Sequence, residues 1–431
     1  MVQQRRTKLD AKLQRALDKR RHVGTLRSLQ PQTLDCVDFF SNDYLGFAKS
    51  TELQARVAQR KNELAGEQLL GSTGSRLISG NSSYFMQVEK ELAAFYNSEA
   101  ALLFNSGYSA NLGVLSSVPQ ADDVILYDEL IHNSCHEGMR LSRAYAKGNA
   151  RAFKHNDVAD LAVKLEEALP AAVMRGADAN EGSSGDATTT TTPKNRCVFV
   201  VVESLYSMDG DVAPLTEMTE LCERMGAFMI VDEAHGTGVY GPQGSGVVRE
   251  LGLDAKPHVV SCRVYTFGKA MGCHGAVVCG SRVFINYLVN YARSFIYTTA
   301  FPFEQLVTVQ VVHEFCATTD RERKQVLDLV QYFKRKVQMN KWIPSSALLE
   351  SDSPIQGIVF EGNHEVLHAA KEMIAMGIRV IPIRSPTVPK GSERFRIVIH
   401  ANNSEQEVDS LITALEAMFR ARQGVTKFSK L

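Results

Sequence analysis

At 431 residues, with 44% hydrophobic and 22% charged positions, the chain has the composition of a globular protein and is too long for one compact core, so two domains are expected. Its 48 basic residues balance its 48 acidic ones, which argues against nucleic acid or an anionic membrane as partner. Eight cysteines without CxxC pairs, and no apolar run of membrane-spanning length, argue against a disulfide frame, a zinc site or a membrane span, and fit reduced thiols in an intracellular protein.

The chain opens on basic residues, Arg5, Arg6 and Lys8, but Asp10 and Asp18 disfavour a transit peptide. Leu9, Leu13 and Leu17 recur every four positions and predict a structural amphipathic helix. An N-terminal segment over 1–48 precedes a large domain over 49–304. There helical patterns (83–97, 108–117, 132–142, 157–169) alternate with apolar runs (101–104, 124–127, 198–202, 228–231, 259–264, 276–279). That alternation predicts an α/β fold with a mostly parallel central sheet and helices on both faces. A smaller α+β domain is expected over 305–431, with helices near 304–318 and 321–338 and strands near 354–360, 378–381 and 395–399. The stretch Gly176–Lys194, with five consecutive threonines, has no apolar surface to bury and is expected to be a disordered insertion. The chain ends Ser429-Lys430-Leu431, the tripeptide read as a peroxisomal address by the import receptor.

Two strand ends carry the chemistry. The run ending at Val231 leads into Asp232-Glu233-Ala234-His235-Gly236-Thr237-Gly238, and the run ending at Val264 leads into Thr266-Phe267-Gly268-Lys269-Ala270. A lysine amine and a carboxylate at the carboxyl ends of buried strands are the two handles that pyridoxal 5'-phosphate (PLP) needs, one for its aldehyde and one for its pyridinium nitrogen. Lys269 is flanked by small and apolar residues, a setting that favours the uncharged amine. Asn105-Ser106-Gly107-Tyr108-Ser109-Ala110-Asn111 joins a strand to a helix and fits a phosphate at a helix N-terminus. Thr266, one helical turn before Lys269, could reach the same phosphate. His235 could bond the ring's phenolic oxygen, and His132 could stack on the ring face. Ser207 could be a turn residue or a cofactor contact.

Together with Leu17-Asp18-Lys19-Arg20-Arg21, Phe40-Ser41-Asn42-Asp43-Tyr44-Leu45-Gly46 and Gly71–Asn81, these segments resemble the α-oxoamine synthases, a fold-type-I PLP family. The resemblance runs over nearly the whole chain; only Gly176–Lys194 departs from it. It implies that Lys269 forms the Schiff base, that Asp232 and His235 contact the ring, and that His132 stacks on it. Gly107, Tyr108, Ser207 and Thr266 fall at cofactor contacts. Arg396 matches the arginine that holds the amino-acid carboxylate, a task that suits a planar fork. Arg27 and Thr387 match substrate-binding positions, and Asn42 lies in the same site. The resemblance further implies a homodimer with its site at the subunit interface, where Thr298 and Thr299 reach the partner's phosphate, and acyl-CoA entry past Gly71–Asn81. The implied reaction is decarboxylative condensation of an amino acid with an acyl-CoA. Motif wording, notably Ser41–Gly46 and Tyr206–Asp211, is most similar to members that join alanine to pimeloyl-CoA in biotin synthesis. Other acyl chains or amino acids, as in serine palmitoyltransferase, glycine C-acetyltransferase or specialised metabolism, stay open. A catalytically dead scaffold subunit is the non-enzyme alternative, although Lys269, Asp232, His132 and Arg396 are all present.

Overall fold

The computed structural model describes residues 2–29, 35–64, 70–169 and 196–428. The threonine-rich insertion and the C-terminal tripeptide lie outside them. The described residues divide into two units, one of Leu45–Ser207 and Val212–Arg323, the other of Met1–Tyr44, Met208–Asp211 and Lys324–Leu431.

The larger unit is built on seven strands: β1 Ala100–Phe104, β2 Val124–Asp128, β3 Ala150–Phe153, β4 Val198–Glu203, β5 Phe228–Asp232, β6 Val260–Thr266 and β7 Ala276–Gly280. Their order is β1-β7-β6-β5-β4-β2-β3, and only β7 runs against its neighbours. A parallel sheet covered on both faces needs strands apolar throughout, and all six residues of β4 are buried. Period-two alternation then deals the side chains to two cores. Val124, Leu126, Val198, Val200 and Val202 go to one, with the helices Val158–Ala168 and Leu215–Met225. Ile125, Phe199 and Val201 go to the other, with the helices Gly107–Ser117, Asn133–Arg140 and Arg282–Tyr291.

The expected strand runs of the sheet form within two residues of their sequence bounds. Edge strand β3 was not legible: three of its four residues are exposed or half-buried, so it has no apolar run to see.

In the smaller unit, β8 Ile355–Val359, β9 Ile381–Ile383 and β10 Arg394–Val398 form an antiparallel sheet of order β9-β10-β8. The strand expected at 378–381 splits, because Ile378–Arg379 pairs in parallel with Val37–Asp38 while β9 pairs with β10. Pro382, which has no N–H, sits in edge strand β9, where that donor is not required. The N-terminal helix forms over Val2–His22, but its stripe is not packed: Leu9, Leu13 and Leu17 are 54%, 53% and 44% exposed. Amphipathic spacing specified the helix without supplying a surface to cover it. Among the described residues no helix is long and apolar enough to cross a membrane, and the eight cysteines are free thiols.

Candidate active site

Parallel strands of the larger unit deliver their last residues to one edge of the sheet, where ligands bind in open α/β folds. Glu203 ends β4 and Asp232 ends β5, in register with each other. Asp232 is buried, and both its oxygens are held. Asn111 Nδ2 donates to Oδ2 at 2.7 Å and the Ala234 N–H to Oδ1 at 2.9 Å. The same amide nitrogen donates to Ser134 Oγ at 2.9 Å, and Ser134 Oγ lies 2.7 Å from His132 Nδ1. The chain Asp232–Asn111–Ser134–His132 thus fixes a carboxylate and an imidazole through two buried polar side chains.

His132 caps the helix Asn133–Arg140, its Nδ1 accepting the Ser134 N–H at 3.2 Å. Nδ1 is therefore the unprotonated nitrogen. Desolvation lowers the imidazole's pKa below its ordinary value; Asp232 opposes this and Lys269 adds to it, which keeps the ring neutral. The residue nonetheless keeps an exposed flank.

β6 ends at Thr266, whose Oγ1 donates to the Ala234 carbonyl at 3.3 Å. Lys269 follows in a tight connection to β7, closed by Gly272 N–H to Lys269 O at 2.8 Å and Cys273 N–H to Phe267 O at 2.9 Å. The expectation that Thr266 precedes Lys269 by a helical turn is corrected: Thr266 ends a strand and Lys269 lies in a bend. Gly272, at φ +61°, and Gly275, at φ +119°, take conformations that L side chains rarely adopt, and they let the chain reverse there. Lys269 is half-buried between the fully buried Phe267, Ala270 and Met271.

Ser106 caps the helix Gly107–Ser117, its Oγ accepting the Ser109 N–H at 3.1 Å. A Cβ on Gly107 would stand 2.4 Å from Thr266 Cγ2, so this helix start and the end of β6 touch at a position only glycine fits. Tyr108 is 48% exposed. His235 and Ser207 are buried in the same unit. Asn105 Nδ2 donates to Thr298 Oγ1 at 3.0 Å and to the Thr299 carbonyl at 2.9 Å, which ties both threonines to the helix start. The Gly71–Asn81 loop is anchored by Arg76, paired at both nitrogens with Glu89 and lying 3.5 Å over the Phe85 ring, and by Ser72 Oγ to the Ala300 carbonyl at 2.8 Å.

In the smaller unit, Arg396 on β10 donates to Asn42 Oδ1 at 2.9 Å. Arg384 gathers two other predicted residues' segments. It donates to the carbonyls of Gly24 and Leu26, next to Arg27, and its own carbonyl accepts the Thr387 N–H at 2.9 Å. Arg27 and burial lower the Arg384 pKa, burial being the larger cause.

Sequence reasoning did not single out Asn111, Ser134, Asn105, Glu203 or Arg384. Asn111 stood inside a quoted motif, but its use depends on a helix meeting a strand end, which no local pattern reveals.

The profile of the class I and II aminotransferases matches residues 35–415. The chain belongs to that family. An 8-amino-7-oxononanoate synthase of Emericella nidulans is 39% identical over 414 residues, covering 94% of each chain. An aminoacyl transferase, sphA, of Aspergillus fumigatus is 35% identical over 94% of this chain and 86% of its own. A serine palmitoyltransferase from S. paucimobilis, solved with PLP and myriocin, superposes with a TM-score of 0.76 at 25% identity, covering 90% of this chain and 88% of its own. The fold-type-I architecture and the oxoamine-synthase resemblance are thereby borne out, and the family is PLP-dependent. This chain's residues fit the cofactor: a doubly bonded buried carboxylate, a neutral imidazole with an open flank, a half-buried lysine in an apolar turn, and a capped helix start without a Cβ.

Proposed function

We propose that this PLP-dependent acyltransferase condenses L-alanine with pimeloyl-CoA, releasing CoA and carbon dioxide to give 8-amino-7-oxononanoate. The observation that carries this reading is 39% identity across 94% of an 8-amino-7-oxononanoate synthase, with Lys269, Asp232 and His132 assembled at one sheet edge. Bound PLP supplies an aldehyde and an electron-withdrawing ring. Asp232, held in place by Asn111 and Ala234, would pair with the ring nitrogen. The neutral His132 ring offers its open flank as the stacking face. The helix start at Gly107, with Thr266, takes the phosphate on free N–H groups. Lys269 holds the aldehyde and, once released, takes the α-proton on Nζ. Arg396, oriented by Asn42, receives the amino-acid carboxylate, and Arg27 and Thr387 contact substrate.

The test is CoA release across alanine, glycine and serine with pimeloyl-, acetyl-, succinyl- and palmitoyl-CoA. Alanine with pimeloyl-CoA is expected to turn over fastest. The sphA relative favours a second reading, a different acyl chain in specialised metabolism, and faster turnover with any other pair replaces the first reading with that one.

The terminal Ser429-Lys430-Leu431 supports a peroxisomal location, where shortened acyl-CoAs arise. A fluorescent protein fused at the N-terminus is expected in puncta that disperse when Leu431 is deleted; puncta that survive the deletion refute the address.

A further inference from the structure

Glu203 is a buried acid of this cradle that the cofactor chemistry above does not use. It ends β4 directly beside Asp232, and only 2% of it is exposed. Asp232 has two donors, Asn111 Nδ2 and the Ala234 N–H. Glu203 has the backbone N–H of His132, while its Oε1 meets no partner among the described residues. The groups facing it are Asp232 from β5, Asp128 from the end of β2, Lys269 from the β6–β7 turn and the Cys135 thiol from the helix Asn133–Arg140. Two buried carboxylates at adjacent strand ends do not both ionise cheaply. A buried carboxylate oxygen without a donor is costly to leave charged, and Glu203 carries one. Burial, then the Asp232 charge, raise the Glu203 carboxyl well above the ordinary carboxylate range.

We infer that Glu203 is a neutral carboxylic acid that positions His132. Its carboxyl accepts the His132 N–H and so sets the height of the stacking imidazole over the cofactor site. Asp232, held by two donors of its own, is the acid placed to face the ring nitrogen. Asp232 and Glu203 thus divide two tasks between two similar groups, the ring nitrogen for one and placement of His132 for the other. The inference rests on the PLP cradle and is independent of which substrates the enzyme uses.

The experiment compares the cofactor-free chain with Glu203→Gln by thermal unfolding across pH. In the unfolded chain the carboxyl ionises around its ordinary 4.5, whereas in the fold it keeps its proton. Its contribution is therefore complete below that pH and is lost as pH rises. Glutamine does not titrate, so the melting temperature of E203Q minus that of the parent is expected to grow steadily from about pH 5 to about pH 8. A gap that stays flat or shrinks means an ionised Glu203 and overturns the inference. A second comparison tests placement by PLP dissociation constants. Glu203→Leu, neutral but without an acceptor for the His132 N–H, is expected to weaken PLP binding about tenfold, with E203Q returning it to within about threefold of the parent. Equal affinity in all three proteins removes the positioning role.

Discussion

Asp232 shows what a single residue contributes and what its neighbours contribute to it. A strand-end aspartate was visible from the sequence, because an apolar run broken by an acid is a local pattern. The donors that hold it were not, because Asn111 reaches it from a helix 121 positions earlier in the chain. Replacing Asn111 with alanine removes one donor from Asp232 and one from Ser134, whose hydroxyl orients His132. PLP affinity in Asn111→Ala, measured by equilibrium titration, is expected to fall about tenfold, the equivalent of about 1.4 kcal/mol for one buried hydrogen bond. Unchanged affinity would mean that Asp232 is set by Ala234 alone.

At the level of an element, the helix Gly107–Ser117 and the end of β6 form a joint in which there is no room for one methyl group. Gly107→Ala puts a carbon 2.4 Å from Thr266 Cγ2 and forces the helix start away from the strand. The free N–H groups that would hold a phosphate move with it, so PLP affinity is expected to drop at least about tenfold in G107A. The helix itself should persist, since Ser106 still caps it and alanine is the better helix former. Circular dichroism checks the helix while cofactor titration checks the site; a variant that binds PLP normally would remove the helix start from the cradle. Element existence was largely legible here, because β4 and β5 are unbroken apolar runs ended by acids. Element type failed at the Lys269 turn. A run of small residues reads as permissive of helix, whereas left-handed Gly272 and Gly275 spend that freedom on reversing the chain.

For the whole molecule, the α/β alternation sufficed to specify a sheet covered on both faces, because each buried strand must alternate its side chains between two cores. Segments whose partners are distant in sequence were read less well. The strand expected at 378–381 divides because its halves pair with different strands, and the leucine stripe of the first helix has spacing but no cover. Long-range pairing is a property of the assembled chain, so single-segment patterns do not carry it. Family membership, the sheet-edge acids and the Lys269 turn converge on one chemical claim, that PLP is held on Lys269. Borohydride reduction of the purified protein with PLP, followed by peptide mass mapping, tests it. The account predicts the cofactor fixed to the peptide bearing Lys269, and a Lys269→Ala protein that carries no fixed cofactor and turns over at least about a thousandfold more slowly. Cofactor fixed on a different lysine, or a K269A protein with parental turnover, would contradict it.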